Sequence, residues 1–270
     1  MAYRAPVSWR EVVTGPDLRV LVRTARRDRT TATVIAWAGR AVLVDPSWDP
    51  DELADIADRL EAERLTVVAG FATHAHHDHV LWHPRFGSAP RWASPAAADR
   101  SRRDRPGLAV ALGPDFPPEL VALAGDVRAL DADRIPWDGP ELRLVTHRAH
   151  SPGHTAVWLP DARVLLAGDM LSDVELPLPD QGPHALADHE HALTLLHPYV
   201  RRAALLVPGH GTVSDAPMDR WAADRNYLTA VLTGADPVDP RLTLPGMSEV
   251  HRDTVRQASA HLDDGLDLDG

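Results

Sequence analysis

Four histidines and one aspartate fall within six consecutive residues, His74 to His79, in the run Thr73-His74-Ala75-His76-His77-Asp78-His79. So many ionisable groups repel or dehydrate one another unless a counter-charge lies among them. A divalent cation is the simplest counter-charge, and neutral imidazole is its commonest protein ligand. Three further segments carry a ligand-type side chain beside glycine: His150-Ser151-Pro152-Gly153-His154-Thr155, Leu165-Leu166-Ala167-Gly168-Asp169 and Leu205-Leu206-Val207-Pro208-Gly209-His210-Gly211. Taken singly, each reads as an ordinary loop histidine or a helix cap. Their co-occurrence after the His-rich run points to a metal site assembled from strand ends. Imidazole and carboxylate with no sulfur suit zinc, with iron or manganese as the alternatives.

The elements that must position these residues follow from periodicity. The β-branched, apolar stretch 65–71 reads as a buried strand, which places the His-rich run on the loop leaving its C-terminal end. Upstream, 18–24, 31–37 and 41–45 read as strands. Asp49-Pro50-Asp51-Glu52 reads as a helix start, with Asp49 as cap, Pro50 at the first helical position, Glu52 as a capping-box acid, and Leu53, Ile56, Ala57 and Leu60 as the apolar stripe. A short strand at 91–93, a helix over 96–103 and a Gly- and Pro-rich surface loop over 107–118 are expected next. Strands at 141–146, 155–159 and 164–167 follow, then a helix over 185–200, a short strand at 204–207 and helices over 218–232 and 247–262. The acidic end from Asp263 is expected to fray. Two similar halves, each a sheet with helices outside, predict an α/β, four-layer α/β/β/α sandwich with ligands on loops at one edge. Residues 1–270 read as a single domain of this kind.

Composition narrows the chemistry. The 270 residues contain no cysteine and no lysine, which excludes disulfides, thiolate ligands, a cysteine nucleophile and lysine Schiff-base chemistry. The net charge of −11, with no basic stripe, argues against a nucleic-acid substrate. The N-terminus opens no apolar signal-type core and no run approaches membrane-spanning length, so a cytoplasmic protein acting on a small molecule, with no nucleic-acid or membrane partner, is expected. The arginine, alanine, aspartate and proline bias fits a GC-rich bacterial genome.

Asp45 in Leu43-Val44-Asp45, the His-x-His-x-Asp-His run at 74–79, then His154, Asp169 and His210, in that order, resemble the motif set of the metallo-β-lactamase-fold superfamily of metallohydrolases. The resemblance spans the chain from about Asp45 to Gly211. It implies two metal ions, with His74, His76 and His154 holding the first, Asp78, His79 and His210 the second, and Asp169 bridging them. Asp45 is then expected to orient a ligand or the site loop, and His150, four residues before His154, is a candidate for the same kind of support. A water or hydroxide between two zinc ions is the implied nucleophile, its pKa lowered from about 15.7 to about 7. Asp78 is the candidate catalytic carboxylate that orients or deprotonates it. His77 is expected to point away, and His184, His189, His191 and His197 to be solvated.

Departures from subfamily patterns bear on the substrate. Glyoxalase II-like and lactonase-like members carry Gly-Gly soon after the His-rich run, where this chain has Val80-Leu81-Trp82. Lactonases of the family place a tyrosine three residues after the bridging aspartate, where this chain has Ser172. Trp82 and Ser172 are therefore candidate substrate contacts. The 60 residues after His210 are short for the glyoxalase II cofactor-binding region, and there is no room for the extra domain of the family's nucleases. True β-lactamases resemble the chain at the His-rich run but lack a bridging aspartate. The expectation is a binuclear zinc hydrolase of a thioester, lactone or related ester, with weak or no β-lactam hydrolysis. The alternatives are a mononuclear iron oxygenase of the persulfide dioxygenase type and a phosphodiester hydrolase.

Overall fold

The structure, a computed structural model, describes the backbone of residues 8–266 and the side chains of residues 8–259. The N-terminal stretch expected to lack a signal sequence lies outside the described residues, as does the last part of the acidic tail.

Two sheets carry the architecture. The first has seven strands in sequence order, β1 (Ser8–Thr14), β2 (Leu18–Thr24), β3 (Thr31–Trp37), β4 (Arg40–Val44), β5 (Thr66–Phe71), β6 (Arg91–Ala93) and β7 (Arg128–Ala129). Its first four strands are antiparallel, and β4 to β7 pair in parallel. The second sheet is β8 (Arg143–His147), β9 (His154–Leu159), β10 (Val164–Gly168) and β11 (Leu205–Pro208), with the parallel β10–β11 pair at one edge.

The period-2 alternation of strand side chains decides the layering. Val20, Val22, Ile35, Val42 and Val44 point inward to meet Val157, Leu159, Val164, Leu166 and Val207 of the other sheet. Their neighbours Leu21, Val34 and Leu43 point outward onto Leu53, Ile56 and Leu60 of α1 (Pro50–Ala62). On the other side, Trp158 and Leu165 pack against Leu193, Leu196, Tyr227 and Leu228 of α4 (Ala185–Val200) and α5 (Pro217–Leu232), with Ala258 of α6 (Met247–Leu266) in the same core. The result is the expected order of layers, helices, sheet, sheet, helices. None of the described helices is long and apolar enough to cross a membrane.

Three local expectations are corrected. Asp49 makes no side-chain cap bond, and Glu52 closes no capping box. Glu52 is instead buried, accepts from Ser47 Oγ and the Arg26 backbone N–H, and sits 3.3 Å from the buried Arg23 guanidinium. A buried carboxylate needs such partners more than a helix end needs a second cap. The helix read over 96–103 is α2 (Pro95–Leu112), which runs through Pro106 and Gly107 where a loop was expected and is followed by the short α3 (Pro118–Val121). Ser94 Oγ caps it by accepting from Ala97 N–H, and Leu108 and Leu112 pack on the α1 core, so tertiary contact overrides the local breakers. Finally, β1 had no counterpart in the sequence reading; it is an edge strand paired along β2 with alternating exposure, a weak signal in Ser-Trp-Arg-Glu-Val-Val-Thr.

Candidate metal centre

Every ligand-type side chain leaves a strand end or the turn into one, along one edge of the two sheets. Asp45 follows β4, the His74–His79 loop follows β5, Asp169 follows β10 and His210 follows β11, while His150 sits in the turn entering β9. Open sheets place ligands at the carboxyl ends of parallel strands for the same geometric reason.

The side chains converge on Asp169. Its Oδ2 lies 3.3 Å from His74 Nε2, 3.2 Å from His150 Nε2 and 3.3 Å from His210 Nε2, and its Oδ1 lies 3.3 Å from His79 Nε2. His76 Nδ1 faces the same point, 2.9 Å from His74 Nε2 and 3.0 Å from His150 Nε2. Asp78 Oδ2 lies 3.3 Å from His79 Nε2 and 3.2 Å from His210 Nε2, and accepts from Thr30 Oγ1. Among the described residues three groups able to hold a cation emerge: His74, His76, His150 and Asp169 on one side, Asp78, His79 and His210 on the other, and Asp169, Glu175 and His210 overlapping both.

The far ring nitrogens show how each imidazole is aimed. His150 Nδ1 donates to Leu178 O at 3.1 Å, His210 Nδ1 donates to Asp28 O at 2.8 Å, and His74 Nδ1 lies 3.1 Å from Thr73 Oγ1. Thr73 in turn donates through Oγ1 and backbone N–H to Asp45, whose Oδ2 also faces His79 Nδ1 at 3.0 Å. Tying one nitrogen to an oxygen leaves the other as a lone-pair donor toward the centre. Asp45 therefore lies beneath the site loop and organises both Thr73 and His79.

His154, expected to help hold the first metal, lies against the back of the cluster, outside its groups of converging side chains. Its Nε2 accepts the Asp169 backbone N–H at 3.0 Å and its Nδ1 faces His147 Nε2 at 3.1 Å, so neither nitrogen is free. His150, expected only as a supporting residue, points its Nε2 into the cluster. Gly168 makes this arrangement feasible: it has φ +57°, and a Cβ there would run into His154 Nε2. Gly209 serves likewise, since a Cβ would strike Asp169 Oδ1. The expected substrate contacts also move. Trp82 is core, packed edge-on against Phe86 and lying over Gly70. Ser172 is buried in a turn, its Oγ donating to His210 O and accepting from the backbone N–H groups of Val174 and Glu175. His77 stands outside the ligand groups and meets Trp48 edge to face, with ring centroids 3.7 Å apart. His189 is fully buried rather than solvated.

Glu175 is a site residue the sequence reading missed. It lines the same cavity, its Oε1 3.9 Å from His210 Nδ1, and burial raises its carboxyl to about 7. The signal was present as Ser172-x-x-Glu175, a serine whose hydroxyl holds the N–H groups of the two residues ending at Glu175.

The donor set fits a cation on physical grounds. Burial alone would strip the proton from His79 and His210, yet the carboxylates of Asp169 and, around them, Asp78, Asp45 and Glu175 hold both imidazoles well above their usual range. Burial alone would also raise Asp78 and Asp169, yet the imidazolium charges hold both well below theirs. His74 and His76 are pushed down by burial, His76 to about 3, and so stay neutral. Neutral imidazoles on one side, and on the other carboxylates that demand positive charge, are the chemistry of a divalent metal site. His79 Nε2 and Asp169 Oδ1 are moreover buried without a hydrogen-bond partner among the described residues.

The profile of the metallo-beta-lactamase superfamily matches residues 25–210. No curated protein matches the chain. Among solved structures, a metallo-beta-lactamase family protein from Thermus thermophilus superposes with TM-score 0.66 at 19% identity, covering 93% of this chain and 95% of that one. A beta-lactamase domain protein from Burkholderia ambifaria gives TM-score 0.60 at 18% identity, covering 92% and 86%. The stereoselective inverting sec-alkylsulfatase Pisa1 from a Pseudomonas species gives 0.59 at 17%, covering 84% of this chain and 42% of that one. At such identities the likeness speaks for the fold alone, and the profile match over most of the chain adds the family: this chain belongs to the metallo-beta-lactamase superfamily.

Proposed function

We propose that the chain is a hydrolase that holds two zinc ions and cleaves a small ester-like substrate, a thioester, a lactone or a related ester. The observation that supports this reading is the position of Asp169, with Oδ2 within 3.3 Å of His74, His150 and His210 and Oδ1 3.3 Å from His79. One carboxylate thus reaches both groups of nitrogens. In this reading His74, His76 and His150 would hold one ion and Asp78, His79 and His210 the other, and Asp169 would contribute to both sites. When bound, zinc lowers the pKa of water from about 15.7 to about 7 and polarises an acyl oxygen. The chain's own groups orient the reaction. The Nδ1 contacts of His74, His150 and His210 fix which nitrogens face the centre, and Asp78, lining the cavity, accepts the hydrogen bond of the attacking water. Glu175 and Asp180 wall the same cavity, which measures about 440 Å³, a size suited to a small molecule.

The test pairs elemental analysis of the purified protein with a panel of thioesters, lactones, carboxylic esters, phosphodiesters and β-lactams, extended to a secondary alkyl sulfate because one structural neighbour is a sec-alkylsulfatase. Two zinc ions per chain and turnover of an acyl ester, thioester or lactone are expected, with β-lactams poorly turned over. One iron per chain with oxygen uptake on a persulfide, or efficient turnover of β-lactams alone, overturns the reading.

A further inference from the structure

The metal-side cavity opens into a second one, and the two are chemically unlike. They share Trp48, His76 and His77. The first contains five carboxylates, from Asp28, Asp78, Asp169, Glu175 and Asp180. The second, about 590 Å³, is walled by Ala75 and by one face of α2, with Leu108, Ala111 and Leu112. Arg103 and Asp104 stand at its rim, but each is paired within its own helix, Arg103 with Asp99 and Asp104 with Arg100. The second cavity therefore presents hydrocarbon and no unpaired charge among these lining groups.

Two details mark it as a built space. Trp48 is fixed at the junction, with the Arg27 guanidinium 4.5 Å from its ring centroid and the edge of His77 against it. Gly107 sits inside α2, where glycine is unfavourable, and its φ is not left-handed, so the backbone does not need it. A Cβ there would meet nothing within 4 Å. Ala111 lies one turn along on the same face. Both are exposed, and two small residues in succession leave an open groove along a wall that spans roughly 13 Å from Arg103 to Leu112 at 1.5 Å per residue.

We propose that this second cavity binds an unbranched apolar chain of the substrate, so that the substrate class is esters or thioesters carrying a medium-length acyl or alkyl group. This rests on the hydrolase reading above and deepens it. The scissile group would lie on the metal side of Trp48 and the chain along Gly107 and Ala111. Burial of hydrocarbon against hydrocarbon supplies the discrimination, about fourfold per methylene when the group is fully buried.

The test varies one chain at a time on the zinc-loaded protein, below micelle-forming concentrations. One arm takes acetyl to octanoyl thioesters of a single small thiol; the other takes methyl to octyl esters of acetate. In one arm kcat/KM should rise at least threefold per pair of methylenes up to about eight carbons, and the rising arm identifies which side of the scissile bond enters the cavity. Gly107→Leu should lower the octanoyl-to-acetyl ratio, or its alkyl counterpart, at least tenfold, whereas Gly107→Ala should change it less than threefold. Because a ratio is read, partial loss of folded protein cancels. Octanoate binding by calorimetry, compared with acetate, gives a readout that needs no turnover. Octanoate binding weakened tenfold by Gly107→Leu supports the cavity even when no ester in either series is cleaved, an outcome that removes the hydrolase reading alone. Flat series with good turnover, or octanoate binding indifferent to Gly107→Leu, overturn the inference.

Discussion

The two halves of the candidate metal centre are built on different plans. The seven-stranded sheet delivers His74, His76, Asp78 and His79 from one loop after β5, held from below by Asp45. The four-stranded sheet delivers His150, Asp169 and His210 from three separate turns, each aimed by a partner distant in sequence, such as Leu178 O for His150 and Asp28 O for His210. A contiguous loop carries its spacing with it. A dispersed set depends on which backbone groups happen to meet each ring. The first kind of site is written in one motif; the second shows in the sequence only as separate glycine-flanked segments, and the fold supplies their meeting.

The sharpest way to break the comparison is at the turn entering β9. His150→Ala removes a nitrogen that faces Asp169, so it should release about one of the two proposed metal ions and lower activity about a hundredfold or more. His154→Ala removes an acceptor behind Asp169, so it should keep both ions at saturating zinc while weakening affinity roughly ten- to a hundredfold. Metal content before and after dialysis separates the two. An ion lost from the His154 variant with the His150 variant fully loaded would return the assignment to the sequence-based expectation.

That turn also shows where sequence reading stops. The strands β2 and β3, the helix α4 and the His-rich loop were legible because alternation, a 3.6-residue stripe and ligand spacing are local. The choice between His150 and His154 was not. Both flank the same Pro-Gly turn, and what sets them apart in the structure is that the Asp169 backbone N–H meets His154, a contact across 15 residues. The second half of α2 was hidden because Pro106 and Gly107 are breakers in isolation, whereas Leu108 and Leu112 gain core contacts only after folding. Glu175 and Trp48 reach the cavity through turn geometry that composition does not encode.

The loop half can be tested at its base. Asp45 is buried, accepts from both Thr73 N–H and Thr73 Oγ1, and faces His79. Asp45→Ala should orphan the Thr73 amide and release His79, weakening zinc affinity roughly ten- to a hundredfold. Competition against a chelator of known affinity reads it. Unchanged affinity would mean that the loop is held by its own turn, with no help from β4.

Behind the dispersed half lies a set of buried imidazoles that makes it acid-sensitive. His189 on α4 is fully buried, without a hydrogen-bond partner among the described residues, and burial lowers it to about 3; His147 is likewise lowered to about 3. The unfolded chain takes up a proton on each as pH falls through 6.5 and the folded chain does not. Stability is therefore full above about 6.5 and falls with pH from there toward 3. For His189 alone the loss from pH 7 to 5 is about 2 kcal/mol at 1.36 kcal/mol per pKa unit. Denaturant midpoints of metal-free protein at pH 7 and 5 should show it, and His189→Leu should shrink the difference by about that amount. An equal slope in the variant would assign the acid lability to other groups.

The smallest effect is expected at Ser172, and it asks whether the dispersed half is held by side chains or by its backbone alone. Ser172 Oγ donates to His210 O at 2.8 Å and accepts from Val174 and Glu175 N–H at 3.0 Å each. It thus joins the turn that carries Glu175 to the turn that carries His210, and no atom of it is free for substrate. Ser172→Ala removes these bonds without opening a large space, and the two N–H groups lie close enough to solvent-facing turns to recover part of the loss. A net cost of about 1 kcal/mol is expected, read as a shift in denaturant midpoint, with a change in kcat/KM of severalfold at most. The substrate chain-length ratio should not move, because the apolar cavity is on the far side of Trp48. Loss of activity by a hundredfold with stability intact would instead make the hydroxyl a direct substrate contact, the role that its sequence position three residues after Asp169 first suggested.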